Sequence, residues 1–555
     1  MLGFPDTDSA KAWPRRAASP VMGKGGMVAA AHPLVVASGL ETLRQGGNAV
    51  DAAVSAGLAA AVVMPEMCGL GGDLFAIVHG PGRKPVAIMG SGNAPRGASL
   101  EDVRRAGVQT PTGLKMALRG PLSISVPGMV DAYETLLTRF GTRPFAAVAE
   151  PAISYARDGY ALTALGAAMI AGSAEDLRRH ADSAAIFLPG GAVPHVGSIL
   201  RQPGLARTLE RIALGGAQTF YRGDLARQIT AALRAAGGAH TVEDFASHIT
   251  QLAPPISTTY RGHTVLQTCL PSQGLILLEA LNILEHSPTA DLARNDARAV
   301  HAMAEALKLA YADRLAFARD PATGHTPVDT LISKAWAAQR FAQFDPARAQ
   351  VFVPAGQHSD GDTTYLCVVD SQGLMVSLIQ SVSSAFGSGI VAGDTGVLLN
   401  NRVGRGFSLE DGHSNLYVPG AKTMHTLNCY MVADPGGTPV LTGGTPGGDG
   451  QPQWNLQVLS GVIDGGLDVQ AAIEAPRWTV WPGTDPHDLP NPYELRVETR
   501  LGETVISDLE SLGHRVRRTG SWGGSGAAQA IARDPTTGVL VGGSDPRAEG
   551  LALGF

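Results

Sequence analysis

Thr363-Thr364-Tyr365-Leu366-Cys367-Val368-Val369, followed by Asp370-Ser371-Gln372-Gly373 and then by Leu374-Met375-Val376-Ser377-Leu378-Ile379-Gln380, reads as two apolar strands joined by a tight turn. β-Branched and aromatic residues favour the pleated conformation, and Asp, Ser and Gly supply the reversal. The stretch ahead of it, Gln339 to Asp362, is polar and holds Pro346, Pro354, Gly356 and the run His358-Ser359-Asp360-Gly361-Asp362. That composition predicts an exposed linker in which a chain break is tolerated. Thr363 therefore stands at a junction between linker and buried sheet. A threonine hydroxyl is a weak nucleophile unless a neighbouring base takes its proton, and cutting the chain between Asp362 and Thr363 creates such a base, the freed α-amine. An α-amine titrates near ~7.7–8.0, so much of it is neutral at neutral pH.

Further on, Gly443-Gly444-Thr445-Pro446-Gly447-Gly448 offers a loop whose Gly447 and Gly448 N–H groups can approach a substrate closely. Such groups stabilise the oxyanion of acyl transfer, each contributing ~3 kcal/mol. Pairing Asp370 with Gly373 sets Thr363 opposite Gln380 with Ser381 beside it, which predicts a Ser381 hydrogen bond to the Thr363 hydroxyl. The plain alternative is two polar residues at strand ends and an ordinary glycine-rich turn.

The rest of the composition removes other function classes. The 555 residues are 44% hydrophobic and 17% charged, with a net charge of −6 and no run of Lys or Arg. This opposes a nucleic-acid or anionic-membrane partner. Cys68, Cys269, Cys367 and Cys429 lack the spacing of a metal or disulfide set and read as small buried hydrophobes. No HExxH motif, phosphate loop or G-x-S-x-G elbow is present, so no metal and no cofactor is expected. Met1 to Pro20 contains Lys11, Arg15 and Arg16 without an apolar core, which predicts no secretory signal and a cytoplasmic protein. The apolar run Ala52 to Met64 is shorter than the ~20 residues of a membrane span.

Among local elements, Gly46 suits a left-handed helix end and Asn48 an N-cap, with Asp51 in the first turn of an Ala-rich core helix. A strand is expected at Leu74–Val78 and helices at Met129–Phe140, Asp296–Phe317 and Glu503–Leu512. Trp454 reads as core packing near the glycine loop, or as a cavity wall.

Several motifs carry a family resemblance. They are Gly46-Gly47-Asn48-Ala49-Val50-Asp51-Ala52-Ala53, Ser125-Val126-Pro127-Gly128, Ala304-Glu305-Ala306 through Tyr311-Ala312-Asp313-Arg314, and Asp362-Thr363-Thr364. Phe386-Gly387-Ser388-Gly389, Asn400-Asn401, Thr445-Pro446-Gly447-Gly448, Ala475-Pro476-Arg477 and Ser544-Asp545-Pro546-Arg547 follow in order. With these the chain resembles the γ-glutamyltransferase family of N-terminal nucleophile hydrolases over nearly its whole length. The resemblance implies an α+β fold, a four-layer αββα sandwich built from two pieces of one precursor, residues 1–362 and 363–555. It implies Thr363 as nucleophile, Gly447 and Gly448 as oxyanion donors, and Ser381 in the place of a supporting threonine. It further implies a small-molecule substrate and a processed heterodimer that pairs once or twice per particle.

The departures concern the substrate. Where the family grips an α-carboxylate with arginine this chain has Ser91. Where it holds an α-amine with Asn, Gln and Asp it has Ser383, Arg402 and Arg405, and where two serines stand it has His425 and Thr426. An ammonium facing Arg402 is repelled, and a carboxylate without its bidentate arginine loses a charge-assisted contact. These changes point away from glutathione and towards a small amide bearing a carboxylate, oxamate-like or a dicarboxylic acyl amide. His425 is a candidate substrate contact or proton shuttle. A γ-glutamyl hydrolase or transferase with a rebuilt pocket, a carbon–carbon bond hydrolase and an uncut binding protein remain the alternatives.

Overall fold

The computed structural model describes residues 2, 18–111, 113–287, 292–350, 362–483 and 493–555. Two seven-stranded antiparallel sheets lie face to face. The first runs Leu551–Gly554, Gly26–Ala30, Asp362–Asp370, Met375–Ser383, Asp73–His79, Val86–Gly90 and Gln251–Ala253. The second runs Val21–Gly23, Leu540–Ser544, Gln529–Arg533, Pro439–Gly444, Tyr430–Ala433, His263–Gln267 and Ile256–Tyr260. Each sheet mixes strands from before and after Asp362.

Three cores show the layering. Met27, Phe75, Tyr365, Cys367, Met431 and Ile531 fill the space between the sheets. Helices Pro33–Arg44, Ala49–Val63 and Phe145–Asp158 pack on the outer face of the first sheet. Helices Gly274–Leu284, Ala297–Phe317 and Gly450–Ile463 cover the second. The result is the four-layer αββα sandwich. Burial on both faces explains why the strand after Thr363 is apolar almost throughout, because neither of its faces meets water.

The helix Ala49–Val63 starts where its sequence predicts. Asn48 accepts from Val50 and Asp51 N–H, Asp51 answers on the Asn48 N–H, and Gly46 has φ +85°. Its Ala-rich surface permits close approach to the hairpin, and Gln380 Nε2 donates to Gly57 O at 2.9 Å. Asp370 ties the hairpin turn to this helix. One carboxylate oxygen accepts from the N–H groups of Gln372 and Leu374, and the other from Ala49 N–H.

The hairpin differs by one residue from the expected pairing. Asp370 N–H bonds to Leu374 O, so the loop has three residues, with Gly373 left-handed at φ +81°. Thr364 rather than Thr363 then faces Gln380, and a bulge follows between Asp362 and Thr364. The three-residue turn wins because Asp370 and Gly373 together satisfy it. The expected linker is also more structured at its start: helix Lys334–Phe341 includes Gln339, and Ala349 N–H bonds to Leu512 O at 2.7 Å. Residues 351–361 of that linker, and most of the N-terminal segment read for a leader, lie outside the described residues. Among the described residues no helix is long and apolar enough to cross a membrane.

Candidate active site

The bulge brings Thr363 beside Ser381. Thr363 Oγ1 donates to Ser381 Oγ at 3.2 Å, and Ser381 Oγ also accepts from Ser383 N–H at 2.7 Å. Thr363 is 2% exposed. On the other side of Ser381 lies Asp73, its cross-strand partner. A side chain at Gly72 would place its Cβ 2.2 Å from Ser381 O, so only glycine lets the chain pass there. Ser383 turns the chain away with φ +91°, a sparsely populated conformation for a residue with a side chain.

The glycine loop joins strand Pro439–Gly444 to helix Gly450–Ile463. Its carbonyls are tied back one after another. Thr445 Oγ1 donates to Pro446 O at 3.0 Å, and Gly450 N–H to Gly447 O at 2.8 Å. Gly448 O accepts from Gln273 Nε2 at 2.9 Å and from Gln451 N–H at 3.2 Å. In a trans peptide the N–H points away from its carbonyl. The Gly447 and Gly448 N–H groups are thereby turned to the opposite side, and neither donates a hydrogen bond among the described residues. Gly447 has φ +122°, and a Cβ there would stand 2.1 Å from the Trp454 ring. Trp454 is buried and donates to Thr479 Oγ1 at 2.9 Å, supporting the loop from beneath.

Arg314, Arg402, Arg405, His413, Thr426 and Asp449 line one narrow cleft that opens to solvent. Arg405 Nη1 donates to Ser383 O at 2.8 Å, which joins the cleft to the Thr363 hairpin. Arg402 Nε lies 3.8 Å from Asp73 Oδ2, and Arg314 Nη1 pairs with Asp449 Oδ1 at 3.1 Å. Burial pushes the Asp73 carboxyl up to about 7, against the opposing pull of the Arg402 charge. Among the described residues, the Thr426 and Ser91 hydroxyls and the Lys422 ammonium are buried without a hydrogen-bond partner.

The sequence model described as Gamma-glutamyltranspeptidase matches residues 36–555. The chain belongs to the gamma-glutamyltranspeptidase family. It is 38% identical over 540 residues to the glutathione hydrolase-like YwrD proenzyme of Bacillus subtilis, covering 96% of this chain and 99% of that protein. It is 36% identical over 535 residues to the oxamate amidohydrolase proenzyme of Klebsiella pneumoniae, covering 96% and 98%. The crystal structure of cephalosporin acylase from Bacillus halodurans superposes with a TM-score of 0.90 at 34% identity, over 100% of this chain and 98% of that one. Membership makes the protein an enzyme of the N-terminal nucleophile class, amidohydrolase or acyltransferase, with the fold expected from its motifs.

Within this gamma-glutamyltranspeptidase frame, the expected pocket residues separate. Arg402, Arg405 and Thr426 meet in the cleft. Ser91 and Ser383 lie in the buried walls, outside the cleft lining. His425 lies outside the cleft lining. Its Nδ1 accepts from Leu427 N–H at 3.1 Å, so its proton sits on Nε2, which donates to Asp73 Oδ2 at 3.0 Å. Burial and the surrounding cations Arg402, Arg405 and Lys422 push its pKa far down, which keeps the ring neutral. Both ring nitrogens are thus engaged, and His425 orients Asp73 from outside the cleft lining.

Asp73 and the Arg314–Asp449 pair escape a reading of the sequence by itself. Their motifs, Gly71-Gly72-Asp73, Tyr311 to Arg314 and Gly448-Asp449-Gly450, are visible, but the pairing of residues over a hundred positions apart is not. One His/Glu group, His301, Glu305 and His514, also converges, with ligand atoms within 4.8 Å. It is organised around an ammonium: Lys308 Nζ donates to Glu305 Oε1 at 2.6 Å. His301 Nδ1 and His514 Nε2 bond to each other at 2.9 Å.

Proposed function

We propose that the chain cuts itself between Asp362 and Thr363 and that the resulting pieces, 1–362 and 363–555, form an amidohydrolase for a small amide bearing a carboxylate. The Thr363 hydroxyl attacks the Asp362 carbonyl, the Asp362–Thr363 amide breaks as an ester forms and frees the α-amine, and water hydrolyses that ester to the Asp362 carboxylate and the Thr363 hydroxyl. In turnover the α-amine takes the Thr363 hydroxyl proton as Oγ1 adds to the substrate carbonyl. The Gly447 and Gly448 N–H groups receive the negative oxygen, and collapse expels the amine carrying the transferred proton. Water then hydrolyses the acyl-threonine and returns the hydroxyl. Ser381 holds Oγ1 in the attacking rotamer throughout.

The observation that carries the substrate class is the charge of the cleft. Arg314, Arg402 and Arg405 line it, while the carboxylates nearest them are already engaged, Asp449 by Arg314 and Asp73 by His425. An anionic group is attracted there, whereas an α-ammonium meets three guanidinium groups and, among the residues lining the cleft, a single carboxylate that Arg314 already holds. The relatives named as oxamate amidohydrolase and acylase support the same direction. The test has two readings. N-terminal sequencing of the smaller fragment of purified protein should begin at Thr363, and ammonia release from oxamate should exceed nitroaniline release from a γ-glutamyl anilide. Faster anilide turnover would reverse the substrate assignment, and an uncut, fully active chain would reverse the nucleophile assignment.

A further inference from the structure

Gln273 belongs to the portion of the chain before Asp362, yet it holds two segments that come after it. Its side-chain Nε2 donates to Thr426 O at 2.8 Å and to Gly448 O at 2.9 Å, while its backbone N–H donates to His425 O at 2.9 Å. Two carbonyl acceptors can be served only by the NH₂ end, so the orientation of the amide is fixed by its partners. The residue is fully buried, and its Oε1 meets no donor among the described residues. A glutamine kept only for packing has no need to bury an unpaired acceptor, which costs stability.

What the two bonds join is specific. Thr426 lines the cationic cleft, and the Gly448 carbonyl lies one Cα beyond the Gly448 N–H, in the peptide that follows the two donors. Gln273 therefore fixes the separation between the oxyanion donors and the wall against which the substrate lies. We propose that Gln273 is a positioning residue for acyl transfer, holding the glycine loop and the Thr426 segment in register. The inference rests on the assignment of Thr363 and the glycine loop made above. Loss of the bridge loosens the Gly448–Asp449 peptide and with it the Cα that carries the Gly448 N–H, while the cleft keeps its cations, so the rate suffers and substrate binding does not. A misplacement of about 1 Å at a reacting centre costs on the order of a hundredfold in rate.

The test compares Gln273→Leu and Gln273→Glu with the parent, using processed protein and active sites counted by acyl-enzyme burst. Gln273→Leu should lower kcat per active site roughly thirtyfold to hundredfold, with KM within about threefold. Gln273→Glu has the same shape but donates only when its carboxyl is protonated. Its kcat relative to the parent should therefore rise as pH falls. A purely structural role would lower the yield or the thermal midpoint while leaving kcat per active site unchanged. The proposal is overturned if Gln273→Leu keeps kcat within threefold, or if KM rises as much as kcat falls. Should the leucine variant not fold, the glutamate variant decides, and a pH profile parallel to the parent's overturns the proposal. Turnover surviving in Thr363→Ala would instead overturn the nucleophile assignment, whatever Gln273 does.

Discussion

Around Thr363 the site is made of neutral hydroxyls and backbone N–H groups on a hairpin buried on both faces, whereas the cleft joined to it through Arg405 sets the guanidinium groups of Arg314, Arg402 and Arg405 against the carboxylates of Asp449 and Asp73. The first side is buried at little cost, because its groups are neutral and Thr363, Ser381 and Gln380 are hydrogen-bonded within the sandwich. The second side keeps several charges out of water, which is tolerable only while each cation has an opposing group. On the proposed function, chemistry falls where the protein is uncharged and recognition where charge is concentrated. Substitutions on the two sides should separate accordingly into effects on rate and effects on binding and stability.

The largest expected effect lies on the neutral side. Thr363→Ala should leave the chain as one band on a denaturing gel and lower turnover by at least about a thousandfold, since both cutting and catalysis need the hydroxyl. Two fragments from this variant would show that the junction is cleaved by something other than its own residue. A smaller change is expected across the cleft. Arg402→Leu should raise KM for a carboxylated amide by roughly tenfold to a hundredfold, the worth of one charge-assisted contact, and leave a neutral amide nearly unaffected. Equal losses for both substrates would blur the division between the two walls.

The smallest effect is a slope in pH. Asp73 is held up to about 7, above the ordinary carboxylate range, chiefly by burial. A carboxyl raised in the folded state contributes stability that is fully present below its unfolded pKa and is lost as pH rises through the folded one. Asp73→Asn keeps the shape and removes this titration. The stability of the variant relative to the parent should therefore improve between pH 4 and pH 7, read from denaturant midpoints at several pH values. A constant difference would remove Asp73 from the pH response.

How much of this is legible in the sequence depends on how local the cause is. The helix cap at Asn48, the helix Met129–Phe140 and the hairpin after Thr363 are written in neighbouring residues, and the structure carries them. The Thr363–Ser381 contact is also anticipated, although the register behind it is displaced by one because a left-handed Gly373 lengthens the turn. His425 shows the opposite case. Its meaning is fixed by Asp73, which is 352 positions away in sequence, and by the cations around it. Composition and spacing can nominate such a residue, but only packing reveals that both ring nitrogens are occupied. Gln273 is harder still, because nothing near it in sequence distinguishes a glutamine that bridges two carbonyls from one that caps a helix.

The interleaving of strands from both sides of Asp362 carries a last consequence. Severing one peptide bond inside such a weave does not liberate either fragment, since each sheet would have to be dismantled strand by strand. Once melted, however, fragments cut at that bond would have to find each other by diffusion and re-thread two sheets at once, a concentration-dependent search that an uncut chain does not face. Heating and cooling the mature protein should therefore be a one-way journey, its endurance set by how slowly it comes apart rather than by any balance between folded and unfolded forms.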